Sequence, residues 1–398
     1  MAALVRAGVF YYWKNLRGVA PALREPALDI TTILPENSQI AAKQMAGLKG
    51  ENRTDFPLKL PEGFTISVFA KNLPLVRVML FDTLGNLWLS RTRDGAIALI
   101  EIREGSVTSQ NDTFRNLKNP HGLALDPENS SMLYFAEEDK ISRVLLNTDA
   151  TPEKIADLPF GAGHSTRSLL FGPDGRLYVA IGSSCNVCAE KDLRRAKIFS
   201  MNKDGSDFRE FASGLRNSVF LASHPQTEKI WATEMGRDLL GDDIPPEEIN
   251  ILEEGKNYGW PYCYSQNVHD DNFDAQKTVN CTGKTPPHIE IQAHSAPLGL
   301  AFVPEDSNWP EEYKNNLLVS YHGSWNRSVP TGYKIVRYKL DEAGNILVAQ
   351  EDFITGWLQG STGAAALGRP VDIVFHEGVM YVSDDKAGVI YKVTYAGG

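Results

Sequence analysis

A four-residue strand core recurs six times along this chain: "LWLS" from Leu87, "LYFA" from Leu133, "LYVA" from Leu177, "IWAT" from Ile230, "LLVS" from Leu317 and "MYVS" from Met380. Nearly every copy follows an apolar strand and a turn, as in "SLLFGPDGR", where proline presets φ and glycine accepts φ > 0. Each is followed by a further apolar strand, such as "AIALIEI" or "KIVRYKL", and most by a more polar fourth, such as "EKIADLP" or "EDFITGW". After the last apolar strand, "GVIYKVTY", the chain ends without its fourth, and a segment of that type stands at the front, "FTISVFAKNL" from Phe64. The pattern predicts an all-β fold, a six-bladed β-propeller of four-stranded antiparallel blades, its ring closed by the N-terminal strand so that no sheet edge is left open. Residues 59–398 are assigned to the propeller and 1–58 to an N-terminal extension. A long insertion separates the fourth and fifth copies; a degenerate seventh blade there is the weaker alternative.

Length alone, 398 residues, suggests two domains, but a ring of blades accounts for it as one. The net charge of -10 argues against nucleic acid or an anionic membrane surface as the main partner, because both reward a basic face. The first residues, "MAALVRAGVFYYWKNLRGVAPALREP", hold an apolar run too short and too interrupted by Arg6, Lys14 and Arg17 to span a bilayer. They read as the trimmed end of a signal or anchor, or as a surface segment. The four cysteines form two local sets, Cys185 with Cys188 and Cys263 with Cys281. Two disulfides would place the protein outside the reducing cytosol, whereas free or metal-bound thiols would not. "CNVCA" lacks the His that a covalent haem site needs after its second Cys.

In a propeller the residues leading into the innermost strands gather at one mouth of the central channel. Here they are Arg77, Pro120 and His121, His164 and Arg167, Arg216 and Asn217, and Arg369 and Pro370; the loops "EMGRD" and "YHGSWNR" add Glu234, His322 and Arg327. An acidic protein that collects Arg and His in one concave place is built for a small polyanion, since Arg pairs with planar carboxylates through charge-assisted hydrogen bonds. The bland alternative for any one of these Arg residues is a blade-to-blade salt bridge. His164 has the chemistry of a base near neutral pH.

The segments "GHSTRSLLFGPDGRLYVAIGSSCNVC", "GLRNSVFLASHPQTEKIWATEMGRD", "EEINILEEGKNYGWP", "YHGSWNR" and "GRPVDI" together resemble the pyrroloquinoline-quinone dependent glucose/sorbosone dehydrogenases, on the sorbosone or aldose-sugar dehydrogenase side. The resemblance runs from about Leu60 to the C-terminus. It implies a propeller that holds pyrroloquinoline quinone, a tricarboxylate, over the channel mouth beside calcium. It further implies that His164 takes the proton of the sugar C-1 hydroxyl and that Arg216 and Asn217 contact the quinone. Arg77, His322, Arg327 and Arg369 are further cofactor-binding candidates, and the Gly236 and Arg237 carbonyls are candidate calcium ligands. Glu248 and Tyr258 are candidates for a second, structural calcium. Under this reading Cys185 and Cys188 staple the loop after the second strand of the hairpin that begins at His164.

The sequence departs from the glucose-oxidising branch at two places. Ser183 stands where an Asp orients the catalytic His there, and Met235 stands where that branch has a polar side chain. Expectations are therefore a sugar or sorbosone-like aldehyde as substrate, a separate electron acceptor, and a periplasmic or extracellular location. A calcium-dependent lactonase or a non-enzymatic interaction propeller are the alternatives.

Overall fold

The computed structural model describes residues 48–395. Six four-stranded antiparallel units follow one another in the chain. Blade one comprises Val76–Phe81, Leu87–Arg91, Ala96–Arg103 and Ser106–Phe114; blade two Leu123–Leu125, Met132–Ala136, Lys140–Leu145 and Glu153–Asp157; blade three Leu169–Phe171, Leu177–Ile181, Lys197–Met201 and Arg209–Ser213. Blade four comprises Ser218–Ser223, Ile230–Glu234, Glu247–Leu252 and Ile289–Ile291, and blade five Pro297–Phe302, Leu317–Tyr321, Lys334–Leu340 and Ile346–Ile354. Blade six takes Pro370–His376, Val379–Asp384 and Val389–Tyr395 from the end of the chain and Phe64–Lys71 from its beginning. Phe64 pairs with Tyr395 and Lys71 with Val389, which closes the ring as the displaced strand predicts.

The second strand of each blade lies between two neighbours in its own sheet and is packed on both faces, so it reads as a continuous apolar run. Leu177–Ile181, Ile230–Glu234 and Leu317–Tyr321 are buried at every position. The fourth strands are partly exposed, and Ser106–Phe114 accordingly alternates polar and half-buried positions. Aspartates set the turns between first and second strands: Asp82 Oδ1 accepts the amides of Leu84 and Asn86.

Of the four Ser or Thr residues that close repeated cores, three bond to the next blade, while Ser90 Oγ accepts the Val78 amide of its own. Thr233 Oγ1 donates to the Leu298 carbonyl of the next blade at 2.7 Å, Ser320 donates to Val371 O, and Ser383 Oγ donates to Arg77 O at 2.7 Å. These hydroxyls stitch blade four to five, five to six and six to one. Where blade three ends its core in Ala180, Ser168 of its inner strand makes the equivalent bond to Val219 O.

The insertion of blade four is not a seventh blade. Within it, Cys263–Tyr264 pairs with Val268–His269 as a two-stranded ribbon, and a disulfide joins Cys263 to Cys281. Ahead of blade six's N-terminal strand, Glu51–Asn52 adds a short parallel pairing to Phe64–Lys71, and Leu58 is buried. The extension assigned to residues 1–58 lies outside the described residues as far as residue 47. Among the described residues, no helix is long and apolar enough to cross a membrane.

Candidate active site

The loop before blade three's inner strand carries His164 onto the end of that blade's second strand. The His164 amide donates to Ser183 O at 2.9 Å. The ring follows: Nδ1 lies 3.1 Å from Ser183 O and 3.0 Å from Ser183 Oγ. Ser183 Oγ gives its own proton to Cys185 O at 2.7 Å, so toward the imidazole it is an acceptor. Both partners of Nδ1 being acceptors, Nδ1 carries the proton and Nε2 keeps a bare lone pair. Burial, and then the Arg216 charge, hold this imidazole well below its ordinary pKa, so it is neutral at neutral pH. The loop itself is fixed by Arg167, fully buried, which donates to the carbonyls of His164, Thr166 and Pro159, and by Arg195, which donates to His164 O at 3.2 Å.

Beside His164 the chain has no side chain at Gly182. A Cβ placed there would stand 2.6 Å from Asn217 Oδ1 and 2.7 Å from His164 Cβ, so only glycine fits. Asn217 is held from behind: its amide donates to Glu234 Oε1 at 2.7 Å and its Nδ2 contacts Met235 Sδ. Its Oδ1 is buried without a protein partner. An orphaned buried acceptor is a polar demand that a bound hydroxyl or N–H satisfies.

The arginines divide into two kinds. Arg216 makes contacts to Asn186 O and Oδ1, the carbonyls of Met235 and Gly236, and Asp238 Oδ2 at 3.0 Å. Arg77 pairs with Asp385 at 2.9 Å and Arg327 with Asp243 at 2.8 Å. Arg369 differs: its guanidinium donates to the carbonyls of His322 and Gly323, lies over the Tyr333 ring, and has no ion pair among the described residues. Of these four arginines Arg369 alone keeps its charge without an ion pair among the described residues, whereas Arg327 spends its charge pinning the 242–243 loop. Arg237 lies away from the mouth, 3.3 Å from Asp270.

His322 is oriented by a carboxylate: its Nε2 meets Asp385 Oδ1 at 2.9 Å. Burial nevertheless pushes its pKa down to about 4. Burial works against ionisation of Asp385, but His322 and Arg77 together hold its carboxyl well below the ordinary carboxylate range.

The family model described as TrAA12-like matches residues 58–396. The chain belongs to the TrAA12-like family. A protein of Borreliella burgdorferi described as uncharacterised is 32% identical over 85% of this chain and 91% of its own length. The pyrroloquinoline quinone-dependent sugar dehydrogenase of Hypocrea jecorina is 24% identical over 66% of this chain and 72% of its own length. Among solved structures, the calcium structure of the Trichoderma reesei carbohydrate-active enzyme of family AA12 superposes with a TM-score of 0.73 at 21% identity, covering 86% of this chain and 100% of that one. That likeness speaks to the fold.

In this TrAA12-like chain the acidic candidates lie beside the mouth rather than in the channel. Glu248 and Tyr258 line a cavity of about 30 Å³ together with Glu234, Gly236, Arg237 and Asp270. That is room for about one or two waters or a single ion. Glu234 and Glu248 sit opposite each other on adjacent strands. Burial, largest of the causes, pushes Glu234 up to about 8 and Glu248 up to about 7. Among the described residues neither has a salt-bridge partner. Their oxygens already accept within the fold, Glu234 from the Asn217 amide and Ser218 Oγ and Glu248 from the Ser265 amide and Asn250 Nδ2, and Arg216 and Arg237 share the lining, so a hard cation such as calcium has only their remaining lone pairs to use. The Gly236 carbonyl likewise accepts from Arg216 Nη1 at 2.8 Å, so one of its lone pairs is spent on a cation.

Sequence reasoning missed Asp385, Asp238 and Asn186. Asp385 had a readable signal: it follows "MYVS" by two residues, in the stretch leaving a second strand, as Ser183 does after "LYVA". Glu137 and Glu138 after "LYFA" and Glu234 after "IWAT" occupy the same stretch, so the repeat delivers acids or their substitutes to the mouth opposite the cations that lead into inner strands.

Proposed function

We propose that the chain is a pyrroloquinoline-quinone dependent dehydrogenase that oxidises an aldose sugar or a related sorbosone-like aldehyde or hemiacetal. His164 is its general base, and the electrons pass to a separate acceptor. The observation that carries this reading is the His164 tautomer, with Nδ1–H given to Ser183 and Nε2 left bare. A base needs a free lone pair, and burial and then the Arg216 charge keep His164 neutral so that its Nε2 lone pair is free.

The residues present fit a tricarboxylate quinone. Arg369 offers an unpaired cation, and Arg216, Asn217 and His322 line the same mouth. Bound there, the quinone supplies the hydride acceptor. The protein's share is to hold the sugar hydroxyl toward His164 Nε2, to receive its proton there, and to keep that imidazole fixed through Ser183. Calcium is assigned to the Gly236 and Arg237 carbonyls, and a second, structural calcium to Glu248 and Tyr258, with Glu234 added from the same cavity. The two disulfides support a location outside the reducing cytosol, periplasmic or extracellular.

The test is reconstitution. Apoprotein is titrated with pyrroloquinoline quinone and calcium while the quinone absorbance is followed, then given a panel of aldoses with an artificial electron acceptor. Binding near one quinone per chain and sugar-dependent reduction are expected. His164→Ala should keep the binding and lose turnover by roughly 10²–10⁴-fold, the usual worth of a general base. Normal turnover by His164→Ala would remove His164 from the mechanism, and no quinone binding in the presence of calcium would end the dehydrogenase reading.

A further inference from the structure

The disulfide Cys185–Cys188 follows closely on the Ser183 that holds His164, and Asn186 stands inside its ring. Asn186 is a hub between two chain segments. Its carbonyl accepts Arg216 Nε at 2.9 Å, its Oδ1 accepts Arg216 Nη2 at 2.9 Å and the Asp238 amide at 2.8 Å, and its Nδ2 donates to Asp238 O at 3.0 Å. The ion pair between Arg216 and Asp238, at 3.0 Å, is thus framed by a single asparagine. A second arm leads to the base: Cys185 O accepts Ser183 Oγ at 2.7 Å, which leaves that hydroxyl an acceptor toward His164 Nδ1. One disulfide ring therefore sets the guanidinium and the imidazole together.

The two disulfides are not equivalent. Cys263 and Cys281 are buried, 4% and 7% exposed, and close a sequence separation of 18; Cys185 and Cys188 are half-buried and close a separation of 3. The constraint that a disulfide places on the unfolded chain grows with the loop it closes, and access to an attacking thiolate decides which bridge exchanges. The short bridge therefore contributes the less to the global fold and is the one open to exchange. Beside it, Ser184 is tied to Glu190 through its amide and its Oγ, both at 2.6 Å, so a broken bridge frees Asn186 without unravelling the strand end.

We propose that Cys185–Cys188 is an exchangeable latch on the cofactor site, opened by a dithiol reductant and closed by oxidation, and that Asn186 is the positioning residue it controls. In opening, a thiolate of the reductant attacks one sulfur and the S–S bond breaks; the second thiol of the reductant then resolves the mixed disulfide. Two electrons and two protons pass to Cys185 and Cys188, which end as thiols, and the reductant ends as a disulfide. Asn186 loses the ring that fixes its backbone, and Arg216 loses the two oxygens that set its Nε and Nη2. Quinone is then held tightly only once the chain has reached an oxidising compartment. The proposal rests on the quinone-dependent reading above.

The test begins with apoprotein treated with dithiothreitol under native conditions. One sample is alkylated with iodoacetamide for peptide mass analysis. The rest is freed of reductant by anaerobic gel filtration and titrated with pyrroloquinoline quinone and calcium. Label should appear at Cys185 and Cys188 while Cys263 and Cys281 stay unlabelled. Quinone affinity should fall about tenfold or more, the worth of one charge-assisted hydrogen bond, and return on reoxidation. Asn186→Ala keeps the bridge, and it should lower affinity as much in the oxidised protein and make it indifferent to the dithiol. The latch is overturned by a bridge that resists the dithiol in the folded protein, by labelling of all four cysteines together, by unchanged affinity after selective reduction, or by wild-type affinity in Asn186→Ala. If oxidised wild type binds no quinone, the cofactor reading fails instead, and hydrogen exchange decides the latch. The Asp238 amide, which donates to Asn186 Oδ1, should then exchange faster after reduction, and an unchanged rate overturns the proposal.

Discussion

Replacing Ser183 tests how the base is held. Nδ1–H of His164 has two acceptors on one residue, the Ser183 carbonyl at 3.1 Å and its hydroxyl at 3.0 Å. Ser183→Ala removes the second and leaves the first, so the tautomer persists and the base loses one neutral hydrogen bond, while the hydroxyl's bond to Cys185 O goes from the loop. Such a bond is worth about 1 kcal/mol net, or roughly fivefold in kcat/KM. The assay is dye reduction by the reconstituted enzyme at saturating quinone, with a melting curve to show that the fold is intact. A loss of a hundredfold or more would refute the reasoning, because the backbone carbonyl would then not be sharing the work. Ser183→Asp is the complementary change. The base acts in its neutral form, so the rate is full above the His164 pKa and falls as pH drops through it. That pKa is depressed, which puts the acid limb of kcat/KM below pH 6.5 in the wild type. A carboxylate at 183 favours the imidazolium and must move the limb upward; an unmoved limb would mean that it reports another group.

Three further outcomes follow from the same contacts. Arg369→Ala should weaken quinone affinity about tenfold or more, as expected for a charge-assisted hydrogen bond worth about 1.5–3 kcal/mol, and unchanged affinity in the spectral titration would assign Arg369 to structure alone. Asp372 is buried where blade six meets blade one, accepts the Met79 amide at 2.8 Å, and has its carboxyl pushed up to about 7 by burial. A raised folded pKa means that the folded state keeps a proton the unfolded chain releases, so its contribution to stability is lost as pH rises from about 4 to about 7. The melting temperature of Asp372→Asn relative to wild type should therefore climb across that window, and a constant difference would contradict the assignment. Thr233→Val keeps the shape of the blade four to five seam but removes the bond to Leu298 O; denaturant unfolding should show a loss of about 1–3 kcal/mol, with Thr233→Ser largely spared.

The ring was legible because its signal is repeated. One strand core buried on both faces gives one apolar tetrapeptide, six copies of it force a closed array, and the displaced strand at Phe64 names the closure. His164, Arg216 and Asn217 were legible for the same reason, since the repeat says which residues reach the mouth. What the sequence does not carry is which of those residues have their charge already spent. Arg77, Arg216 and Arg327 look alike as letters, yet each is paired with an acid far away in the chain: Asp385, Asp238 and Asp243. Those pairings depend on how loops meet, between blades for Arg77 and Arg327 and within blade four for Arg216, a tertiary matter without a local period. The same limit hid the cavity acids, because the opposition of Glu234 and Glu248 is a register fact of two strands separated by a loop.

The division of labour at the mouth follows from that register. Several inner strands are entered through cationic or imidazole residues, and the second strands of blades two, four and six are left through Glu137, Glu234 and Asp385, so opposite charges arrive together at the mouth. Most cancel, as Arg77 with Asp385 does, and a cancelled pair orients neighbours instead of binding anions; here it holds His322. Chemistry is left where the repeat is broken. Blade three supplies Ser183 in place of an acid, so His164 stays neutral and keeps a free nitrogen, and Arg369 enters blade six next to Asp384, which bonds its backbone amide at 2.8 Å and leaves the guanidinium unpaired. A base without a carboxylate and a cation without a counter-ion are both departures from the repeat. In the reading proposed here they are the two positions a proton-releasing substrate and a carboxylate-bearing cofactor require.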